Sequence, residues 1–291
     1  MMAQDPVARF ERAFADRVGS TDAIAVTFAR LGLRHILHGL GLVPGDEVIL
    51  SPLTCRVVVL ALQSAGYRPA YADIAAGSSL NIDAEAVTQR WNARSRAIVF
   101  QHTYGVGSGL EAVADVARRR GVPLIEDCAH CMPASNDAMT AGTRGVAAIW
   151  SLNYRKPIPA GAGGLVTTSD EVLARRIRKA RDAGMRRSIA AELGWRMQGE
   201  LHARVLRPST YWMLWGLQRR FRGDEQATTL TNALQREVES LPARISQWQA
   251  RRGLKSLSTA DARARRSREL SHRYADALAG SRTLSLLPDA S

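Results

Sequence analysis

The sequence predicts an α/β protein with a mainly parallel sheet and helices on both of its faces. Short apolar runs alternate with longer amphipathic segments from residue 47 to residue 183, which is typical of βαβ units. Several runs are apolar at nearly every position, as expected for strands that are buried on both faces. With 291 residues, of which 46% are hydrophobic, the chain can bury a sizeable core.

The individual elements follow from hydrophobic periodicity. Amphipathic helices are predicted at residues 6–17 and, as a longer segment, at residues 23–41. Strands are predicted at Glu47–Leu50, at residues 70–73, 97–101, 123–127 and 149–153, and at Gly164–Thr168. Helices between them are predicted at residues 57–66, 84–93, 110–120 and 170–183, the last with Ser169 as its N-cap.

One lysine lies between a predicted strand and a glycine cluster. Lys156 precedes the run Gly161-Ala-Gly-Gly164, and only three of the 40 lysines and arginines are lysines. A desolvated lysine can lose its proton and attack a carbonyl, whereas a guanidinium stays protonated. Lys156 is therefore a candidate for Schiff-base chemistry, with an ordinary surface lysine in a turn as the alternative.

The predicted strand 123–127 ends in two carboxylates, Glu126 and Asp127. Polar residues at the carboxyl end of a parallel strand open into the site of such a fold. Pyridoxal phosphate requires a lysine for its aldehyde and a carboxylate for its pyridine nitrogen, and Lys156 and Asp127 are one such pair. Since neighbouring residues of a strand face opposite sides, we expect Glu126 to point away from Asp127.

Several short motifs occur in an order that resembles the DegT/DnrJ/EryC1/StrS family of sugar aminotransferases. They are residues 44–50 (PGDEVIL), 80–83 (LNID), 102–105 (HTYG) and 125–130 (IEDCAH), followed by a serine five residues before Lys156. The resemblance covers roughly residues 20–280. It implies a fold-type-I large domain, a pyridoxal 5'-phosphate cofactor and a homodimer.

The resemblance also implies further cofactor contacts. Ala29 and Arg30 stand where the family has a glycine and a hydroxyl that hold the phosphate; Arg30 would either replace them as a cation or mark weaker binding. Cys55 occupies the position that covers the pyridine ring, with a small buried thiol as the alternative. His130 matches a residue near the ring hydroxyl, and Ser151 matches the serine that bonds the phosphate.

The predicted domains are a cofactor-binding large domain at residues 1–230, with an apolar and basic helical insertion at 186–230, and a helical region at 231–291. This last region would begin a small C-terminal domain that is largely missing from the chain. Residues 206–221 place aromatic and aliphatic groups beside arginines, so this segment would pack in a dimer interface or lie on an anionic membrane surface.

Composition excludes some classes of protein. No run approaches the roughly 20 apolar residues that a membrane span needs, and three cysteines are too few for a disulfide framework, so we expect a cytoplasmic protein. The net charge is +13, but the arginines are scattered and we expect no nucleic-acid site. Cys128 and Cys131 form a C-x-x-C pair, but a structural zinc site needs a second pair. A redox pair is compatible with a position after a strand, yet two small residues beside a cofactor strand explain the pair more simply, so we expect neither metal nor redox function there.

The sequence thus predicts an aminotransferase that transfers an amino group, by resemblance from glutamate or a similar amino acid, to a nucleotide-linked keto sugar for a surface polysaccharide or glycosylated metabolite. Two alternatives stay open. One is an impaired or truncated paralogue, in view of Ala29, Arg30 and Cys55. The other is a basic protein that binds membranes or nucleic acid, in view of the charge.

Overall fold

A computed structural model describes residues 5–75, 80–133, 141–184 and 244–281, together with residues 193, 194, 196, 197, 200 and 212. Its described part contains one seven-stranded sheet with the strand order β1-β7-β6-β5-β4-β2-β3. The strands are β1 Asp22–Val26, β2 Glu47–Leu50, β3 Arg68–Tyr71, β4 Ser95–Gln101, β5 Leu124–Asp127, β6 Ala147–Ser151 and β7 Gly164–Thr168.

The sheet is mainly parallel, as the sequence predicts. Strands β3, β2, β4, β5 and β6 pair in parallel, and β7 runs antiparallel to both of its neighbours, β6 and β1. The parallel strands therefore end at one edge of the sheet. In a sheet of this kind that edge forms the ligand site.

Eight α-helices are described, and those that pack on the sheet cover both of its faces. They are α1 Pro6–Val18, α2 Ala29–Gly39, α3 Arg56–Ser64, α4 Ala84–Arg90, α5 Leu110–Arg120, α6 Glu171–Ala183, α7 Gln247–Ser258 and α8 Ala260–Leu278. Helices α2, α3 and α6 contribute to one apolar cluster with the sheet. Helices α1 and α7 contribute to a second cluster and α4 and α5 to a third.

The predicted long helix at residues 23–41 is wrong in its first part. Residues Asp22–Val26 form β1, which pairs with β7, and the helix begins only at Ala29. Residues 23–26 are all buried, so their apolar character comes from a buried strand at one end of the sheet. A continuous apolar run cannot be assigned to helix or strand from periodicity alone.

Two smaller predictions also need correction. The N-cap of α6 is Asp170, not Ser169, because the Asp170 carboxylate accepts hydrogen bonds from the N–H groups of Val172 and Leu173. Strands β3 and β6 begin and end earlier than predicted. The helices predicted at residues 6–17 and 110–120 are confirmed as α1 and α5.

The predicted insertion at residues 186–230 lies almost wholly outside the described residues, as does most of segment 206–221. Among the residues that the structure describes, no helix is long and apolar enough to cross a membrane.

Candidate active site

Asp127 ends β5 in the interior of the protein. All four residues of β5 are buried, and Asp127 lies in register with Gln101 of β4 and Ile149 of β6. Its Oδ1 accepts a hydrogen bond of 3.0 Å from the N–H of Ala129. The parallel pairing thus places a carboxylate, 4% exposed, at the carboxyl edge of the sheet.

Burial raises the pKa of Asp127 above its ordinary value. The hydrogen bond from Ala129 and the positive charges of Lys156 and His102 act in the opposite direction but are outweighed. A cation placed next to this carboxylate would favour its ionised form. Asp127 is therefore suited to pair with a protonated ring nitrogen.

Lys156 lies in the loop between β6 and β7. The loop is closed by backbone hydrogen bonds, from the Lys156 N–H to the Asn153 carbonyl at 2.9 Å and from the Ala160 N–H to the Leu152 carbonyl at 2.9 Å. This arrangement brings the ammonium group close enough to act on the pKa values of Asp127 and His130. The one lysine of the glycine-rich stretch is thus held beside the buried carboxylate.

The amino end of α2 forms another wall of the site. Its N-cap residue, Phe28, makes no side-chain capping bond, and the Arg30 guanidinium carbon lies 3.9 Å from the centre of the Phe28 ring. An uncapped helix N-terminus favours anions through its N–H groups and its dipole. Ala29 and Arg30 can therefore serve a phosphate through backbone and charge.

His130 and Cys55 approach from two other elements. The His130 ring stacks on Tyr104, with 5.8 Å between ring centres and 9° between ring planes, and its Nδ1 accepts a 3.3 Å hydrogen bond from the Tyr104 N–H. Burial, followed by the charge of Lys156, lowers the pKa of His130, which favours a neutral imidazole. Cys55 is the N-cap of α3 and is exposed, so the alternative of a small buried thiol is wrong.

All seven predicted site residues line one cavity of about 280 Å³. They are Ala29, Arg30, Cys55, Asp127, His130, Ser151 and Lys156. Their side chains come from the ends of β5 and β6, the loops that follow them and the starts of α2 and α3. The most distant of them in the sequence, Ala29 and Lys156, are 127 positions apart, and the fold brings both to the same cavity.

Three polar or aromatic residues of the cavity were not predicted as site residues: Phe28, Gln101 and Asn153. Gln101 is buried at the end of β4, directly beside Asp127, and its amide donates a 3.0 Å hydrogen bond to the Thr103 hydroxyl. A polar residue that ends an apolar strand next to the strand of Asp127 is a signal that the sequence already contained. Phe28 lies inside the predicted helix at residues 23–41, whereas in the structure it is the N-cap of α2 and lines the cavity.

Comparisons with known proteins agree with this geometry. Residues 2–208 match the model of the DegT/DnrJ/EryC1/StrS aminotransferase family. The chain is 36% identical over 172 residues to the spore coat polysaccharide biosynthesis protein SpsC of Bacillus subtilis, covering 59% of this chain and 44% of that protein. It is 34% identical over 179 residues to the GDP-perosamine synthase of Caulobacter vibrioides, covering 62% and 48%.

Among solved structures, the chain resembles the aminotransferase TlmJ from Streptoalloteichus hindustanus, with a TM-score of 0.75 and 26% identity over 98% of this chain and 66% of that one. This likeness confirms the predicted fold-type-I architecture. The chain spans about half the length of the two relatives named above.

Proposed function

Because the chain belongs to the DegT/DnrJ/EryC1/StrS aminotransferase family, whose aminotransferases use pyridoxal 5'-phosphate, we propose that it holds this cofactor in the cavity around Lys156 and Asp127. The observation that carries the proposal is the meeting of an amine, a buried carboxylate and an uncapped helix N-terminus around one cavity. We further propose that the cofactor serves transfer of an amino group to a sugar.

The residues present fit the cofactor in their chemistry. Asp127 is a buried anion-forming group for the pyridine nitrogen, and Ser151 and Arg30 offer a hydroxyl and a guanidinium for the phosphate. The start of β7 packs tightly against the start of α2, since a Cβ atom at Gly164 would lie 2.3 Å from the Ala29 nitrogen. The amino end of α2 is thereby fixed at the cavity wall.

Pyridoxal phosphate, when bound, supplies an aldehyde for covalent attachment and an electron-withdrawing ring. Lys156 would hold the aldehyde and afterwards move a proton at the substrate carbon with its Nζ atom as general acid and base. The loop bonds from Lys156 to Asn153 and from Ala160 to Leu152 orient this amine. Asp127 would keep the ring nitrogen protonated by its negative charge.

His130 and Cys55 would position the ring. The neutral imidazole of His130 can hydrogen-bond to the ring hydroxyl, and its stacking on Tyr104 fixes its plane. Cys55 offers a small polarisable group at the rim, in place of a flat side chain. The ring would therefore be held more by its polar edges than by stacking.

We propose that the acceptor is a nucleotide-linked keto sugar and the donor glutamate or a similar amino acid. The relative named GDP-perosamine synthase supports a sugar acceptor, and SpsC supports a place in polysaccharide biosynthesis. We also propose that the active form is a homodimer in the cytoplasm. Both proposed substrates carry anionic groups, carboxylates in glutamate and phosphates in the nucleotide sugar. A chain with a net charge of +13 attracts such anions.

The first experiment is the visible absorption spectrum of the purified chain with added pyridoxal phosphate, followed by reduction with borohydride and peptide mass spectrometry. We expect the cofactor on the Lys156 peptide. Lys156→Arg keeps the charge but should abolish the attachment, and Lys179→Arg, which removes an exposed lysine of α6, should not. Equal labelling of the wild type and Lys156→Arg would refute the cofactor assignment.

If the cofactor binds, its conversion by amino donors is measured next. Glutamate and glutamine are compared, each followed by a nucleotide-linked keto sugar. We expect loss of the visible band with the donor and its return with the sugar. A band that no donor changes would support the alternative of an impaired paralogue.

A further inference from the structure

Cys128 and Cys131 lie against a histidine from the neighbouring strand. Both thiols are free and buried, and both pack in the apolar cluster that contains α1 and α7. The two Sγ atoms and a ring nitrogen of His102 all lie within 4.8 Å of one another. His102 directly follows β4, and its N–H donates to the Asp127 carbonyl, so it lies beside Cys128 in the parallel pair.

His102 is oriented by a buried carboxylate. Its Nε2 lies 2.8 Å from Oε2 of Glu126, and the side chains of both residues are at most 2% exposed. The two Glu126 oxygens also accept backbone hydrogen bonds of 2.7–2.8 Å from the N–H groups of Gly142, Arg144 and Gly145.

The contact with Glu126 occupies Nε2 of His102 and leaves Nδ1 as the ring nitrogen that can take a further ligand. Among the described residues, Nδ1 of His102 is buried and has no hydrogen-bond partner. Leaving a buried polar atom unpaired is unfavourable, so a ligand bound to this nitrogen would be stabilised. The Sγ atoms of Cys128 and Cys131, which lie within 4.8 Å of a ring nitrogen of His102, could bind the same ligand.

We propose that His102, Cys128 and Cys131 form a binding site for a thiophilic metal ion, Zn²⁺ or Cu⁺. Thiolates and imidazole are the donors that these ions select. Glu126 fulfils the role of the carboxylate that orients a metal-ligating histidine through its other nitrogen. The site lacks the second cysteine pair that zinc sites often have, and the fold supplies the histidine in its place.

The charges balance for such an ion. Both cysteines are free of disulfide bonds, so each can supply a thiolate to the ion. Binding would release two thiol protons, and two thiolates neutralise Zn²⁺, whereas Cu⁺ would leave one negative charge. Cu⁺ is satisfied by three soft donors, whereas Zn²⁺ needs a fourth ligand, which would be a water molecule.

The metal would brace the wall that carries His130. Residues 128–131 follow Asp127 directly, and the backbone at Gly105 packs so closely that a Cβ atom there would lie 3.2 Å from the His130 carbonyl oxygen. A metal that joins His102 to this loop would couple the ends of β4 and β5. This inference does not rest on the proposed enzymatic function.

The test uses the whole chain, reduced and stripped of metal, then loaded separately with Zn²⁺ and with Cu⁺ under anaerobic conditions and desalted. We expect about one retained ion per chain in one of the two arms, together with a higher Tm. Cobalt loading should give a thiolate-to-cobalt charge-transfer band. Cys131→Ser and His102→Gln should each bind at least about tenfold more weakly.

Cys55→Ser is the matched control, because it removes the exposed cysteine and keeps the pair. If a variant does not fold, as judged by circular dichroism, the cobalt spectrum of the wild type still decides. The proposal is overturned if the wild type retains neither ion, if its cobalt spectrum lacks a thiolate band, or if Cys131→Ser retains as much metal as the wild type. A Cys128–Cys131 disulfide that forms in the presence of excess metal would equally overturn it.

Discussion

Gly164, the first residue of β7, packs its α-carbon directly on the backbone of Ala29, the first residue of α2. A Cβ atom at position 164 would lie 2.3 Å from the Ala29 nitrogen and 2.7 Å from its Cα. Backbone atoms cannot yield as a flexible side chain can. The contact therefore fixes the helix end that we assign to the cofactor phosphate.

Gly164→Ala should move the start of α2 and weaken cofactor binding. We expect a loss of about 1–3 kcal/mol in the free energy of unfolding and a higher Kd for pyridoxal phosphate, measured by urea unfolding and by absorbance titration. Gly280→Ala is the control, since a Cβ atom there meets open space. Unchanged cofactor affinity in Gly164→Ala would contradict the assignment of this helix end.

Asp127→Asn should keep the shape of the site and remove its negative charge. We expect the cofactor to bind but the reaction with an amino donor to slow by on the order of 10²-fold, measured by stopped-flow absorbance. Asp115→Asn, on the exposed surface of α5, should react like the wild type. If Asp127→Asn kept the wild-type rate, Asp127 would not be the partner of the ring nitrogen.

Arg181 of α6 is 2% exposed and holds α1 through Glu11, at 3.0 Å. Glu11 also pairs with Arg178, at 3.4 Å, so removing Arg181 weakens the compensation of its charge without abolishing it. Arg181→Met should therefore lower the free energy of unfolding by about 1–3 kcal/mol, measured by urea unfolding. The same change at Arg175, which pairs with Glu171 on the surface, should cost less than about 1 kcal/mol. Similar losses in both variants would argue against a stabilising role for burial of the pair.

His35 of α2 should make the stability depend on pH. Burial, and then the charges of Arg34, Arg181 and His38, lower its pKa from 6.5 to about 4 in the folded protein. Below pH 6.5, His35 becomes protonated in the unfolded chain but stays neutral in the folded protein down to about pH 4. The contribution of His35 to the free energy of unfolding is therefore fully present above pH 6.5 and is lost as the pH falls towards 4.

The expected contribution of His35 is a loss of about 2 kcal/mol between pH 7 and pH 5, measured by urea unfolding at both values. His35→Gln should lose less stability over this interval than the wild type. His272→Gln, which alters an exposed histidine of α8, should follow the wild type. Parallel curves for all three proteins would show that His35 does not titrate as described.

Residue types and alternation were enough to predict the parallel sheet and the pair of Lys156 and Asp127, because both follow apolar runs that are buried strands and parallel strands end at the same edge. The other predicted cavity residues came from the family resemblance: Ala29, Arg30, Cys55, His130 and Ser151. The prediction that Glu126 faces away from Asp127 is confirmed by its bond to His102, since strand neighbours alternate. These features depend on the residue types of one strand and on the alternation of its side chains, both of which can be read from the sequence.

Other features depend on contacts between segments that are far apart in the sequence. Asp22–Val26 became a strand because β7 lies beside it, and no local pattern contains that neighbour. His102 joined Cys128 and Cys131 because the register of β4 and β5 sets residues 26 positions apart side by side. Residue types identify the groups that can carry chemistry. Which of these groups meet is set by strand pairing across the sheet, because pairing depends on contacts between distant parts of the chain.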